Sequence, residues 1–173
     1  MNDDSIHGRM INRHPQSEPR GVVVTAPTES IDVAPTILAC LGIDVPHSMD
    51  GRSLRGFLDG AQPSDWRSTT YSELDFGHPI NPTAWQTDLR LPLDAANLAV
   101  LRKGDLRFVQ FAGGLPPILM DVSAGKEDRN LAQDPANMQT MLDLTQQMLC
   151  HSMVNRDGTF SRTLITNDGV QVA

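Results

Sequence analysis

Asn97-Leu98-Ala99-Val100-Leu101-Arg102-Lys103-Gly104-Asp105-Leu106-Arg107-Phe108-Val109-Gln110-Phe111-Ala112 is the stretch on which the fold turns. Two apolar-rich arms, 97–103 and 106–112, flank Gly104-Asp105. Val100 with Arg102, and Phe108 with Gln110, show the interleaving of apolar and polar residues expected of half-buried strands. Lys103-Gly104-Asp105-Leu106 has the composition of a tight turn. The stretch predicts an antiparallel hairpin.

Downstream, Gly113-Gly114 precedes two prolines rather than a helix and reads as a turn. Ile118-Leu119-Met120-Asp121-Val122 is a third strand. Asp134-Pro135 then opens a helix over 135–152, with an acidic cap and proline at the first helical position. Its apolar stripe is Met138, Met141, Leu142, Thr145, Met148 and Leu149. Upstream, 70–76 alternates like a strand, and 77–96, with Pro79, Pro82 and Pro92, reads as a long loop. The expected class is α+β, a small antiparallel sheet over 70–122 with a packed C-terminal helix. Val100, Phe108, Leu119, Met141, Leu142 and Met148 are expected to be buried together.

The front of the chain reads differently. Residues 1–20 form a polar tail. Gly21-Val22-Val23-Val24 is a β-branched strand candidate stopped by Pro27. Residues 32–41 read as a helix with Asp32 as cap, Pro35 in the first turn and Gly42 as stop. Val33, Ile37, Leu38 and Leu41 give it one apolar face. Residues 43–68 are irregular, with a helical turn near Leu54 to Leu58. The organisation expected is a tail (1–20), a strand-helix unit (21–60), a sheet-plus-helix unit (61–155) and a loosely held polar tail (156–173).

The chain has 173 residues and a formal net charge of −7, with a pI of about 5.0. An acidic surface repels phosphate backbones and anionic lipid, so neither nucleic acid nor a membrane is the expected partner. No apolar run approaches the roughly 20 residues that span a bilayer. The acidic start, Met1-Asn2-Asp3-Asp4, does not resemble a secretory signal. The expectation is a cytoplasmic chain in which Cys40 and Cys150 are buried thiols rather than a disulfide.

Chemistry-bearing residues are sparse. No phosphate-cradling glycine loop, Gly-x-Ser-x-Gly elbow, Cys-x-x-Cys or His-x-x-x-His pair occurs. Asp3, Asp4 and His7 make a cluster that could hold a metal, although a disordered acidic tail is the simpler reading. Glu73, Asp75 and His78 lie together at a strand end. Glu73 and Asp75 share a strand face, and with the histidine they are a candidate for a hard cation or acid–base work. A solvated strand end is the plainer reading. Lys126-Glu127-Asp128-Arg129 reads as a solvated turn. Met138, Met141 and Met148 could form a partner-binding stripe, but core packing against the sheet explains them more simply.

Two segments carry a family resemblance. Glu29-Ser30-Ile31-Asp32-Val33-Ala34-Pro35-Thr36-Ile37-Leu38, then Leu41-Gly42-Ile43 and Asp50-Gly51-Arg52-Ser53-Leu54, resembles the sulfatase pattern of an Asp-x-x-Pro-Thr helix leading into Gly-x-Ser-Leu. Leu119-Met120-Asp121-Val122, then Glu127-Asp128-Arg129-Asn130-Leu131-Ala132, is similar to a strand and turn of the same family, with Met120 where tyrosine is usual. Pro63-x-x-Trp66-Arg67, the insert at 77–96 and Gly114-Leu115-Pro116-Pro117 resemble phosphonate monoester hydrolases, within the alkaline phosphatase-like superfamily. The resemblance covers about residues 20–155.

It implies that 21–60 is a strand-helix remnant of the family's larger α/β domain. It also implies hydrolysis of sulfate, phosphate or phosphonate esters by a formylglycine nucleophile, made in a Cys-x-Pro-x-Arg motif, and a divalent metal. Cys40 precedes Leu41-Gly42-Ile43 and Cys150 precedes His151-Ser152-Met153, so neither matches that motif. No catalytic, cofactor or metal residue carries over, and those motifs are expected before residue 1. The expectation is a C-terminal portion, inactive alone, whose partner is a catalytic N-terminal domain or chain, or a second copy. A non-catalytic partner-binding or oligomerisation module is the alternative.

Overall fold

The computed structural model describes residues 8, 10–17, 21–123, 129–155 and 163–172. Four strands, β1 (Thr69–Asp75), β2 (Asn97–Lys103), β3 (Leu106–Phe111) and β4 (Ile118–Asp121), form an antiparallel sheet in chain order. The decisive hairpin forms as expected, to within one residue: Val100 lies opposite Val109 and Lys103 opposite Leu106. Gly104 takes φ 56° at its tip, a conformation that costs glycine nothing.

Side chains alternate across a strand, so the register sorts the sheet into two layers. Leu101, Phe108 and Leu119 stand side by side across β2, β3 and β4. They are buried with Leu144 and Met148 of a long helix, Met138–Val154. Leu98, Val100 and Val109 point the other way and pack with Phe76 and Ala96.

Two expected core residues are thereby corrected. Val100 is buried, but in the second layer, because it has the opposite parity to Leu101. Leu142 is half exposed. The arc that the helix turns to the sheet is Met141, Leu144 and Met148, and Leu142 lies off it.

The segment 76–96 folds back over the second layer, with Leu91 packed against it. It is not wholly irregular. It holds a short helix, Ala84–Asp88, and a 3-10 turn, Leu93–Ala95. The Phe76 and Trp85 rings meet edge to face at 5.8 Å. Gly113 lets this segment close: a Cβ there would strike Leu91 and the Ala95 carbonyl.

The front of the chain gives helix α1 (Val33–Cys40), entered through a 3-10 turn at Ser30–Asp32, and helix α2 (Arg55–Leu58). In order along the chain, Ala84–Asp88 is α3 and Met138–Val154 is α4. Residues 22–24, expected to be a strand, pair with nothing among the described residues. They stand exposed together with Ile37, Leu41 and Ile43. The stretch expected to be a polar tail contains a second hairpin, β5 (Thr163–Thr166) with β6 (Gly169–Val172). Among the described residues no helix is long and apolar enough to cross a membrane.

Candidate functional site

Asp32 has a role the sequence did not reveal. As a cap it would accept from the next turn of α1, but it makes no such bond. Its carboxylate instead faces Arg67, with Nη1 2.6 Å from Oδ2 and Nη2 2.7 Å from Oδ1. The backbone N–H groups of Glu29 and Arg52 also donate to it, at 2.9 and 2.8 Å. Four donors on one carboxylate make up for the water it has lost, since Asp32 is 0% exposed.

The network extends on both sides. Arg67 Nη1 also meets Glu29 Oε2 at 2.7 Å. The other Glu29 oxygen accepts from the Tyr71 N–H at 2.7 Å, which satisfies a donor on the free edge of β1. Thr36 Oγ1 donates to the Asp32 carbonyl at 2.6 Å and accepts from the Leu54 N–H at 2.8 Å. The Trp66 indole N–H donates to the Pro27 carbonyl at 2.7 Å, and the Arg52 and Arg67 guanidinium groups both lie over its ring, 4.9 and 5.1 Å from the centroid. This clamp fixes α1 and the 27–36 segment to the edge of the sheet. Charge pairing across 35 residues leaves no periodic trace. The one available signal was Trp66-Arg67 standing next to a strand.

Glu73 and Asp75 do share a face. With Asn97, Ala99, Gln110 and Ala112 they line an open hollow of about 330 Å3, beyond the end of the area that α4 covers. Glu73 Oε1 accepts from the Tyr71 hydroxyl at 2.7 Å. Burial, and secondarily this carboxylate, push the Tyr71 phenol up to about 12. The Tyr71 ring also lies over the His151 imidazole, centroids 4.1 Å apart.

His78 does not join the two carboxylates. Its Nδ1 accepts from the Ile80 and Asn81 N–H groups at 3.2 and 2.9 Å, and its own N–H donates to the buried Gln86 side chain. It organises the loop. Among the described residues no three His, Cys, Asp or Glu side chains come together to hold a metal ion. Asp3, Asp4 and His7, and residues 126–128 of the charge run, lie outside the described residues.

The thiols correct a further expectation. Cys40 is only half buried and Cys150 is exposed, both free. Cys40 lies beside Arg55, which is held to Asp59 at 2.7 Å. That pairing keeps the Asp59 carboxyl below its usual range.

Asn130 closes the sheet's other edge. Its Oδ1 accepts from the N–H of Leu119 on β4 and from that of Ala132, both at 3.0 Å. The two resembling segments thus converge on opposite edges of one sheet, Glu29 at β1 and Asn130 at β4.

Comparison with known proteins agrees with this geometry. A family model described as N-sulphoglucosamine sulphohydrolase, C-terminal, matches residues 1–81. A multifunctional alkaline phosphatase superfamily protein, PehA of Trinickia caryophylli, is 36% identical over 151 residues. That match takes in 87% of this chain and 28% of the relative. The phosphonate monoester hydrolase SpPMH of Silicibacter pomeroyi superposes with a TM-score of 0.83 at 46% identity, over 93% of this chain and 32% of that one. The phosphonate monoester hydrolase of Agrobacterium radiobacter gives a TM-score of 0.74 at 32% identity, over 87% of this chain and 30% of the other. The chain therefore spans about a third or less of the relatives it matches.

Proposed function

Taking as premise that this chain belongs to the sulfatase and phosphonate monoester hydrolase family, of which it carries a C-terminal part, we propose that it is the structural wall of an ester hydrolase. The parent activity in this reading is hydrolysis of sulfate, phosphate or phosphonate esters, and the catalytic apparatus is supplied by an α/β portion that packs on residues 21–43. The chain alone is inactive. Metal-assisted ester hydrolysis needs a cation to stabilise charge on the transferred group and a positioned nucleophile, and neither Cys40 nor Cys150 stands in the family's Cys-x-Pro-x-Arg motif. The formylglycine and divalent metal of the family belong, in this reading, to the complementary portion.

The observation that carries the proposal is the exposure of five apolar side chains, Val22, Val23, Val24, Ile37 and Leu41, in and just ahead of the segment that the clamp holds. Covering a Leu, Ile or Val side chain is worth roughly 1.5–3 kcal/mol. Five of them amount to a sum comparable with a small domain's whole stability of about 5–15 kcal/mol. Apolar side chains left exposed in such number within one short segment favour an interface. The clamp holds α1 to the sheet.

The test is co-expression with the remaining portion of the Silicibacter pomeroyi hydrolase. The two pieces are expected to co-purify, and Val24→Asp/Ile37→Asp/Leu41→Asp is expected to separate them. The isolated chain is expected to turn over no aryl sulfate, phosphate diester or phosphonate monoester above background. Robust turnover that persists through repurification would overturn the reading.

A further inference from the structure

Tyr71 is where three parts of the chain meet. It lies in β1, at the edge of the sheet, opposite Leu101. Its backbone N–H, on the free edge, donates to Glu29 Oε1 at 2.7 Å and so ties the strand to the 27–36 segment. Its ring packs with the layer under α4 and lies over the His151 imidazole, centroids 4.1 Å apart. Its hydroxyl donates to Glu73 Oε1. Backbone, ring and hydroxyl are each held.

The end of α4 depends on this contact more than the rest of the helix does. Leu144 and Met148 anchor the middle of α4 in the core. Beyond Met148 every residue to Asn155 is exposed except His151, which is half buried. One ring contact therefore secures the last turn, where the backbone bonds run out and helices fray. The Asn155 side chain closes that turn on itself, donating to the His151 carbonyl at 3.0 Å, and adds no tie to the sheet.

The connection on the other side of Tyr71 is equally narrow. While Glu29 Oε1 takes the Tyr71 N–H, Oε2 meets Arg67 Nη1 at 2.7 Å, and Arg67 grips the buried Asp32. The Glu29 side chain is only 16% exposed, so the protein donors stand in for most of its water. When the 27–36 segment lifts, Tyr71 loses its backbone partner and β1 becomes a bare edge strand at that point. The ring is then free to leave His151, and the last turn of α4 has no second buried side chain to secure it.

We propose that Tyr71 couples the 27–36 segment to the last turn of α4, so that loosening either one loosens the other. Such coupling is reciprocal by thermodynamic necessity. It lies within the chain and stands whether or not a hydrolase portion covers residues 21–43. Where that reading holds, docking on 21–43 also stiffens the end of α4.

Residue-resolved hydrogen exchange of the full chain by NMR tests it. Glu29→Ala should speed exchange of the 151–155 amides by about 2- to 10-fold, the range that loss of one hydrogen bond gives. Glu29→Gln keeps an oxygen for the Tyr71 N–H and should retain most of the protection. In the other direction, His151→Ala should speed exchange of the Tyr71 amide by a similar factor, even though alanine favours the helix itself. This variant also carries the test if Glu29→Ala does not fold, because His151 sits in the terminal turn. In a His151→Ala background, Glu29→Ala should add almost nothing to exchange at 151–155, since the link is already cut. A last turn unmoved by Glu29→Ala, or a Tyr71 amide unmoved by His151→Ala, overturns the proposal. So does an acceleration by Glu29→Ala that is undiminished in the His151→Ala background, which would report general loosening rather than a path through Tyr71. The hydrolase portion plays no part in these measurements, so their failure would leave its docking on 21–43 standing.

Discussion

The Arg67 guanidinium and the Asp32 carboxylate meet fork to fork, two N–O contacts of 2.6 and 2.7 Å, with Asp32 wholly out of solvent. A buried pair of this kind adds little net stability over an apolar pair, but breaking it from one side leaves a charge with neither water nor partner. Arg67→Met should lower stability by about 3–5 kcal/mol. Arg67→Lys should not restore it, because an ammonium cannot bridge both oxygens in one plane. The double variant Asp32→Asn/Arg67→Met should cost clearly less than the sum of the two single changes. Urea denaturation followed by circular dichroism gives all four values, and a loss under about 1 kcal/mol for Arg67→Met would demote the clamp to a surface contact.

Gly51 is required for space, not for conformation. A Cβ built on it falls inside the van der Waals envelope of the Ile31 carbonyl, just ahead of Asp32. Gly51→Ala should therefore destabilise by roughly 1–3 kcal/mol through forced backbone movement. Gly42 is the contrast: its Cβ direction is open, but its φ of 71° puts an alanine in the left-handed region at about 1–2 kcal/mol. Paired thermal melts separate the two cases if Gly51→Asn is also made. A larger side chain should worsen position 51, while Gly42→Asn should recover much of the loss at 42.

The sheet was legible in the sequence because its signals are local. Alternation in 97–111 and the Gly104 turn fix strand, partner and register within one short stretch. The parity of Val100 was equally available, since Val100 and Leu101 cannot face the same layer. The width of the α4 stripe was not: Met138, Leu142 and Leu149 have the hydropathy of core residues, and only the position of the sheet decides which arc is covered. The clamp was invisible for another reason. Asp32 and Arg67 are 35 residues apart and carry the most ordinary of surface charges. The Asp-x-x-Pro-Thr and Trp66-Arg67 signatures mark its two halves without stating that they touch.

The two-layer core makes a discriminating mutational series. Phe108 and Leu119 are fully buried under α4, so Phe108→Ala and Leu119→Ala should cost about 3–5 and 2–5 kcal/mol. Val100→Ala should also destabilise, but through the layer beneath 76–96, leaving α4 docked. Leu142→Ala should change stability by no more than about 0.5 kcal/mol. Hydrogen exchange adds the spatial readout. Phe108→Ala should speed exchange in α4, whereas Val100→Ala should speed it in 76–96 first. Equal effects of the two on α4 would contradict the division into layers.

Tyr71 is the chain's one tyrosine, so ultraviolet titration of the phenol reads this residue alone. In the folded chain it should ionise near pH 12, displaced upward first by burial and then by the Glu73 carboxylate that accepts its hydroxyl. In urea it should ionise near the ordinary value of about 10. The sign follows from linkage: the folded state resists losing a proton that the unfolded state gives up, so the contribution to stability is fully present below about pH 10 and disappears as pH rises from there toward 12. Glu73→Gln should bring the folded midpoint down only part of the way, because burial is the larger cause. Tyr71→Phe should remove the absorbance change and flatten the stability profile between pH 10 and 12 while the ring stays against His151. A folded midpoint at about 10, unchanged by urea, would mean that the hydroxyl is solvated, that Glu73 does not hold it, and that the hollow beside β1 is more open to water than the packing of Tyr71 against α4 allows.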